Sequence, residues 1–248
     1  EQYIPFDVNE VNLDFQILDS NEDEGQMDVL LVAAKKDLID DYVQVISEAG
    51  LNPVAIDVAG FAVQNAYEIN YEQDPEAVTA LVNIGAQVVN INVLRNGIPA
   101  FTRDIMTGGA QYTEEIQKAL SVSFEEAERI KMGGSPDDDG QVQDVIPQEV
   151  EQAMRSVSDT VIGEISRSLD FFAATAADAR ISKVLLSGGG SKISGLANAF
   201  GERTGLETEL MNPLAHMLPS KGFEAEYLEA MAPLLAVGIG LATRRVEA

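Results

Sequence analysis

Three glycines follow an apolar, β-branched run in Lys183-Val184-Leu185-Leu186-Ser187-Gly188-Gly189-Gly190-Ser191-Lys192-Ile193. Residues without a Cβ let a ligand approach the main chain closely, and a helix start supplies unpaired N–H groups. Residues 194–200 read as that helix. The run thus has the parts for holding a nucleotide by backbone, although a lone glycine triplet is more often a tight strand-to-helix turn. Two further segments carry similar chemistry. In Leu81-Val82-Asn83-Ile84-Gly85-Ala86-Gln87-Val88-Val89, Gly85 can bring backbone N–H groups against a phosphate. In Glu125-Glu126-Ala127-Glu128-Arg129-Ile130-Lys131, Glu128 and Lys131 lie three apart on one helix face. A carboxylate acceptor beside an ammonium donor suits a ribose diol, and equally an ordinary surface ion pair.

Other chemistry is excluded. Gly188-Gly189-Gly190-Ser191-Lys192 has the residues of a Walker A loop in the wrong order and spacing, and no G-x-S-x-G occurs. The single histidine, His216, sits in a Pro-containing irregular stretch and reads as a packed or surface residue, so no hydrolytic triad is expected. Asp137-Asp138-Asp139-Gly140 resembles the opening of a calcium loop but has Ile146 where a bidentate Glu is required; it reads as a solvated tip. No catalytic and no metal-ligating residue is assigned.

The 248 residues can form one large domain or two ordinary ones. Forty-one acidic against 16 basic residues give a net charge of −25, which argues against nucleic acid and against direct docking on anionic lipid. The chain has no cysteine, so disulfides and thiolate metal sites are excluded. The most apolar stretch, residues 230–243, is too short against the roughly 20 residues of a membrane span and contains Pro233, Gly238 and Gly240.

The elements that must position these groups follow from periodicity. Residues 11–18 and 27–33 read as a hairpin across an acidic turn at 19–25, residues 37–49 as a helix stopped by Gly50, and residues 51–58 as a further strand. Together they predict a small ββαβ unit. Residues 61–68 read as a helix. Residues 79–84, 88–94 and 98–105, joined by Gly85-Ala86-Gln87 and Arg95-Asn96-Gly97, predict an antiparallel meander, because Asn and Gly tolerate positive φ. After Gly108-Gly109 come helices over 111–120 and 123–131, the second with Ser123 and Glu126 spaced as a capping box. A polar loop is expected over 133–148 and a long helix over 147–180. Val150, Met154, Val157, Val161, Ile165, Leu169 and Phe172 form that helix's core stripe. A final helix is expected over 228–244.

The order hairpin, Glu-x-x-Lys helix, strand–glycines–helix resembles the second half of the actin-like nucleotide-binding fold. Tyr3-Ile4-Pro5-Phe6, Asp28-Val29-Leu30-Leu31-Val32-Ala33-Ala34-Lys35-Lys36, Ala49-Gly50-Leu51, Phe61-Ala62, Ser168-Leu169-Asp170-Phe171-Phe172 and Leu186-Ser187-Gly188-Gly189-Gly190 resemble the PilM family of type IV pilus assembly proteins, which is related to the cell-division protein FtsA. The likeness runs along essentially the whole chain. It implies an α/β, actin-like (ribonuclease H-like) two-lobe ATPase fold with an FtsA-type inserted subdomain and an incomplete N-terminal lobe. Residues 1–10 would be a remnant of the first lobe, 11–58 the inserted subdomain, and 59–78 a first-lobe helix and linker. Residues 79–110 and 147–227 would form the second-lobe core, 111–146 its small subdomain, and 228–248 a helix returning to the first lobe.

By the same resemblance, Asn83, Gly85, Ala86 and Gln87 fall on the second phosphate loop, and Glu128 and Lys131 on the ribose-contacting helix. Gly188, Gly189 and Gly190 fall on the adenosine loop, Lys192 falls against the adenine face, and Gly108 and Gly109 join the set. Asn83 stands where active relatives have an Asp that helps hold Mg²⁺, and a neutral amide holds a hydrated divalent cation more weakly. The resemblance implies ATP and Mg²⁺ as cofactors of the full-length protein, and none for this chain, which opens at Glu1 beyond the first phosphate loop. Weak or absent nucleotide binding, no meaningful hydrolysis, and an exposed sheet edge or non-native dimer are the corresponding expectations. The implied partner is the N-terminal peptide of the membrane protein PilN, with the pilus assembly ATPase, platform proteins and a homo-oligomer as further candidates. The implied place is the cytoplasm, peripheral to the inner membrane through partners, with a scaffold's role and at most weak ATPase activity. The alternatives are a small-molecule kinase on the same fold, which Asn83 and the lack of an inter-lobe acid motif disfavour, and an FtsA-like division protein.

Overall fold

In the computed structural model the described residues are 4–21, 26–72, 74–133, 147–176, 179–217 and 222–244. The acidic turn at 22–25, the loop carrying Asp137–Gly140, and residues 245–248 lie outside them. Contacts divide the chain into two compact units, one taking in Glu1–Asp57 and the other spanning Val58–Arg244.

The first unit is built on two strands, β1 (Val11–Asn21) and β2 (Gln26–Lys35), followed by helix α1 (Lys36–Glu48). The strands pair antiparallel from Val11↔Lys35 to Asn21↔Gln26, with a register shift between Ile17 and Asp19. Leu13, Phe15 and Ile17 therefore stand on one face opposite Ala33, Leu31 and Val29. Lys35 Nζ lies 4.8 Å over the Phe6 ring, and Lys36 Nζ donates to the Asn9 carbonyl at 2.7 Å. The predicted strand over 51–58 does not form. That segment joins no sheet, and its apolar residues Leu51 and Val54 are exposed. Alternation supplies the side-chain pattern of a strand, but a strand needs a neighbour for its ladder. The unit is therefore ββα.

The second unit holds a five-stranded sheet in the order β5-β4-β3-β6-β7. Its strands are β3 (Val78–Ile84), β4 (Val89–Arg95), β5 (Ile98–Ile105), β6 (Ile181–Ser187) and β7 (Glu207–Leu210). The predicted meander is present: β3, β4 and β5 run antiparallel, and Asn96 and Gly97 at the second turn both have positive φ, 54° and 73°. β6 and β7 then add in parallel on the other side of β3. All seven residues of β3 are buried, which explains its nearly continuous apolar run.

Helices cover both faces of this sheet. On one face Tyr112 of α3 (Gly109–Leu120), Val161, Ile165, Leu169 and Phe172 of α5 (Gln148–Thr175), and Leu196 and Phe200 of α6 (Leu196–Thr204) pack against Ala80, Val82, Ile91, Val184 and Leu186. On the other, Val63, Ala66 and Tyr67 of α2 (Ala59–Asn70) and Ala236 of α7 (Ala225–Thr243) cover Leu81, Leu94 and Leu185. A satellite cluster of Ile116, Ala127, Ile130 and Val150 seats α4 (Phe124–Lys131) against α3 and α5. Ser123 caps α4, its Oγ accepting from the Glu126 N–H at 3.2 Å.

Three expectations are corrected. α5 stops at Thr175, short of Arg180, so that β6 can begin at Ile181. β7 was not foreseen, because Glu207-Thr208-Glu209-Leu210 is a short, polar edge strand; Lys183 holds it through Glu209 at 2.7 Å. α2 and α7 share a core with the sheet, within Val58–Arg244. Finally, α7 begins at Ala225 and not near 228; at 19 residues and a mean hydropathy of 1.3 it is long and apolar enough to cross a membrane by length and composition. It serves here as a core helix: Ala232, Pro233, Ala236 and Gly240 are buried, and it packs along α2.

The α2–α7 crossing is set by Gly240. A Cβ placed there would lie 1.6 Å from the Ala62 carbonyl oxygen, a backbone atom that can move only with its helix. Gly240→Ala is expected to lower unfolding free energy by about 3 kcal/mol, the upper end of overpacking costs. Urea denaturation checks this, and a midpoint matching the wild type would contradict the crossing.

Candidate functional site

β3 ends at Ile84, and the N–H of the next residue, Gly85, donates to the Val88 carbonyl at 3.0 Å and closes the turn into β4. The start of α3 is tied to the same turn: the Gly109 N–H donates to the Gly85 carbonyl at 2.9 Å, and the Ala110 N–H to the Ala86 carbonyl at 2.8 Å. Two of the helix's four orphan donors are thereby satisfied. Gly108 makes this approach possible, since a Cβ there would sit 2.4 Å from the Gly85 oxygen and 2.7 Å from that of Ala86. Ala86 and Gln87 are exposed at the tip, and their N–H groups make no backbone hydrogen bond among the described residues.

The glycine triplet comes to the same place from β6. Gly188 has φ +82°, and a Cβ on it would lie 2.4 Å from the Ile84 carbonyl oxygen and 2.8 Å from Asn83 Oδ1. Its N–H donates to the Pro233 carbonyl of α7 at 2.8 Å. Gly190 is pressed against the Ile84 side chain, while Gly189 is exposed and faces open space. The glycines thus have two uses: Gly108, Gly188 and Gly190 let main chains touch one another, and Gly189 leaves backbone open to an incoming group. The Cβ position of Gly109 is 4.0 Å from the Gly190 Cα, so hairpin, α3 start and triplet meet at one point.

The helix expected from residue 194 starts two residues later, at Leu196. Gly189–Lys192 forms a 3-10 turn, Gly195 takes a left-handed conformation, and α6 begins only at Leu196. Ser191 Oγ closes that turn by donating to the Gly188 carbonyl at 2.7 Å. Lys192 ends it with an exposed side chain.

Glu128 and Lys131 join the cluster through α3. Lys131 Nζ donates to the Gly109 carbonyl at 3.3 Å, to Thr113 Oγ1 at 3.0 Å and to Glu128 Oε1 at 2.5 Å, and Thr113 also donates to Glu128. The pair is an ion pair, as the plainer sequence reading had it, and it is partly buried: the Lys131 side chain is 14% exposed and that of Glu128 32%. Burial acts to raise the Glu128 pKa. The hydrogen bonds from Lys131 and Thr113, with the Lys131 charge, outweigh it and hold the carboxyl below its ordinary value.

On the α2 face, at the same end of the sheet, a polar row crosses four strands. Ser187 Oγ donates to Asn83 Oδ1 at 3.3 Å, Asn83 Nδ2 to Asn90 Oδ1 at 3.0 Å, and Asn90 Nδ2 to Asp104 Oδ1 at 2.8 Å. These residues are direct register partners on β6, β3, β4 and β5. The outer end of the row lines a cavity of about 190 Å³ with Gly60, Phe61, Asn92 and Arg103. A larger cavity, about 400 Å³, lies at the opposite end of β3 beside Arg95, Asn96 and Arg180, away from the Gly85 turn and the 188–190 triplet. Asn90 and Asp104 escaped sequence analysis; the available signal was polar residues at matching positions of adjacent strands.

Exposed N–H groups at Ala86 and Gln87, open backbone at Gly189 and the Glu128 carboxylate, held by Lys131, are donors and acceptors that fit a phosphorylated nucleoside. No three metal-ligating side chains cluster among the described residues. For a hydrated Mg²⁺ ion the inner end of the row offers neutral oxygens, those of Asn83 and Ser187, which suits an ion held chiefly through phosphates and water.

A meander extended by two parallel strands, helices on both faces, and glycine turns after β3 and β6 define an actin-like, ribonuclease H-like α/β protein. The family model for type IV pilus assembly protein PilM matches residues 1–246. A structure of a PilM–PilN type IV pilus biogenesis complex is similar over 100% of this chain and 70% of that one, with 31% identity and a TM-score of 0.83. The chain belongs to the PilM family of type IV pilus assembly proteins. The fold alone is shared with the ethanolamine utilization protein EutJ from Carboxydothermus hydrogenoformans (21% identity, TM-score 0.54, 80% of this chain and 59% of that one). It is also shared with MreB 5 of Spiroplasma citri bound to AMPPNP (15% identity, TM-score 0.56, 84% of this chain and 64% of that one).

Two outcomes test this geometry. Gly188→Ala is expected to destabilise the protein and disturb the amide resonances of Ile84 and Gly85, since its Cβ meets backbone; unchanged resonances would contradict the packing. For Glu128 the folded pKa lies below the unfolded one, so its contribution is complete above the ordinary glutamate value and is lost as pH falls through the folded value. Glu128→Gln should cost about 1 kcal/mol at pH 7, with the difference from wild type shrinking only below about pH 5. A difference that persists undiminished at pH 3 would contradict the assignment.

Proposed function

We propose that this protein is an actin-like adaptor of the inner-membrane type IV pilus assembly complex, recruited from the cytoplasmic side by the N-terminal peptide of a PilN-type membrane protein. The observation that carries the reading is the 31% identity and 0.83 TM-score to the PilM of a PilM–PilN complex along the entire chain. The net charge of −25 agrees with attachment through a protein and not through anionic lipid. Residues 11–58, with the β1–β2 hairpin, correspond on this reading to the FtsA-type inserted subdomain.

In the full-length protein the glycine cluster would hold ATP with Mg²⁺. The N–H groups of Ala86 and Gln87 would meet phosphate, the backbone at Gly189 would lie along the nucleoside, and Glu128 would offer its second carboxylate oxygen to a ribose diol, held in place by Lys131, whose three N–H groups are already engaged. Lys192 would lie against the base, and Asn83 would accept from water around the cation. The bound ion would neutralise phosphate charge. The row presents amides at Asn83 and Asn90, with its one carboxylate, Asp104, at the outer end on β5, and the role is that of a nucleotide-responsive scaffold with at most weak ATPase activity. The MreB relative bound to AMPPNP supports the nucleotide class, through its fold only.

Immobilised PilN N-terminal peptide is expected to retain the full-length protein, and a scrambled peptide to release it. Equal retention by both peptides, or by neither, would remove the adaptor assignment.

A further inference from the structure

We infer that Asp104 is a positioning residue of the candidate nucleotide site: acting through Asn90, its carboxylate fixes the orientation of the Asn83 amide so that oxygen, and not nitrogen, faces the Gly188 turn. The inference rests on the nucleotide reading of that site for its functional consequence.

The argument is one of donor and acceptor capacity. An ionised carboxylate only accepts hydrogen bonds, whereas a primary amide has one accepting and one donating side, and a hydroxyl serves either purpose. Asp104 Oδ1 must therefore be met by Asn90 Nδ2, as found at 2.8 Å. That turns Asn90 Oδ1 toward β3, where only a donor satisfies it, and Asn83 supplies Nδ2 at 3.0 Å. Asn83 Oδ1 is then left pointing at β6, where it accepts from Ser187 Oγ and lies 2.8 Å from where a Gly188 Cβ would stand. At the inner end, the Ser187 hydroxyl is indifferent to polarity. The outer end alone decides it.

The register makes this relay straight, because Asp104↔Asn90, Asn90↔Asn83 and Asn83↔Ser187 are direct partners and their side chains share one face. Reversed polarity would put an NH₂ group where the site needs an acceptor for cation-bound water. An amide nitrogen cannot serve there. Second-sphere groups that orient a ligand in this way commonly matter as much as moderately strong ligands.

Three substitutions separate the possibilities. Asp104→Asn permits both polarities, Asp104→Lys supplies a donor-only end that reverses the row, and Asp104→Glu keeps an acceptor. Nitrogen-15 spectra of this chain should show the Asn83 and Asn90 side-chain amides shifted by Asp104→Lys and doubled or broadened by Asp104→Asn, with Arg103→Gln leaving them in place. In the full-length protein, the ratio of ATP affinity with Mg²⁺ to that in chelator should fall about tenfold in Asp104→Lys and recover in Asp104→Glu, metal-free affinity staying within about twofold. Unmoved Asn83 resonances in both Lys and Asn variants would overturn the inference, as would moved resonances with an unchanged Mg²⁺ ratio. Failure of the wild-type full-length protein to bind ATP at all would overturn the nucleotide reading, and the functional part of the inference with it.

Discussion

Main chain touches main chain where β3, β6 and α3 meet, and every other feature of the site follows from that approach. The carbonyl oxygens of Ile84, Gly85 and Ala86 are approached so closely by Gly108 and Gly188 that no Cβ fits at either position. Two of those carbonyls take the first N–H groups of α3, while the Gly188 N–H anchors on Pro233 of α7. Helices from both faces of the sheet are thereby drawn to one end of it. Because α3 is fixed there, Gly109 presents its carbonyl to Lys131, and the Glu128/Lys131 pair is held beside the glycines. The backbone contact thus positions side chains that are up to a hundred residues apart in sequence.

Much of this was legible from residue types. The buried run of β3, the Asn96-Gly97 turn and the apolar stripe of α5 each obey a local rule, so the meander and long helix could be read directly. The three glycine and charge motifs were likewise visible, and they do come together. What could not be read depends on neighbours. Residues 51–58 have a strand's alternation without a partner strand. β7 lacks the apolar signal because it is an edge strand held by Lys183. The end of α5 and the late start of α6 are set by where the chain must enter β6 and leave the triplet. The roles of individual glycines were also hidden: sequence shows that a Cβ is missing, and only packing shows whether a ligand or another backbone takes its place.

The polar row extends the same lesson. Asn83, Asn90 and Asp104 are unremarkable in isolation, separated by seven and fourteen residues, and become a unit only through strand register. One side of the cluster therefore carries a shielded ion pair and the other a row of amides ending in a carboxylate. Such a division suits a site that grips a nucleoside firmly and a cation loosely, in keeping with the proposed scaffold. Membership of the PilM family places the fold in pilus assembly, and the cluster is the site at which nucleotide binding is proposed.

The most direct test is amide chemical-shift mapping of the full-length protein on titration with Mg-ATP. The account predicts that the largest perturbations fall together on Ala86, Gln87, Gly189 and the Glu128–Lys131 turn. Perturbations confined to the Arg95/Arg180 cavity, or scattered without touching the glycine turns, would contradict it.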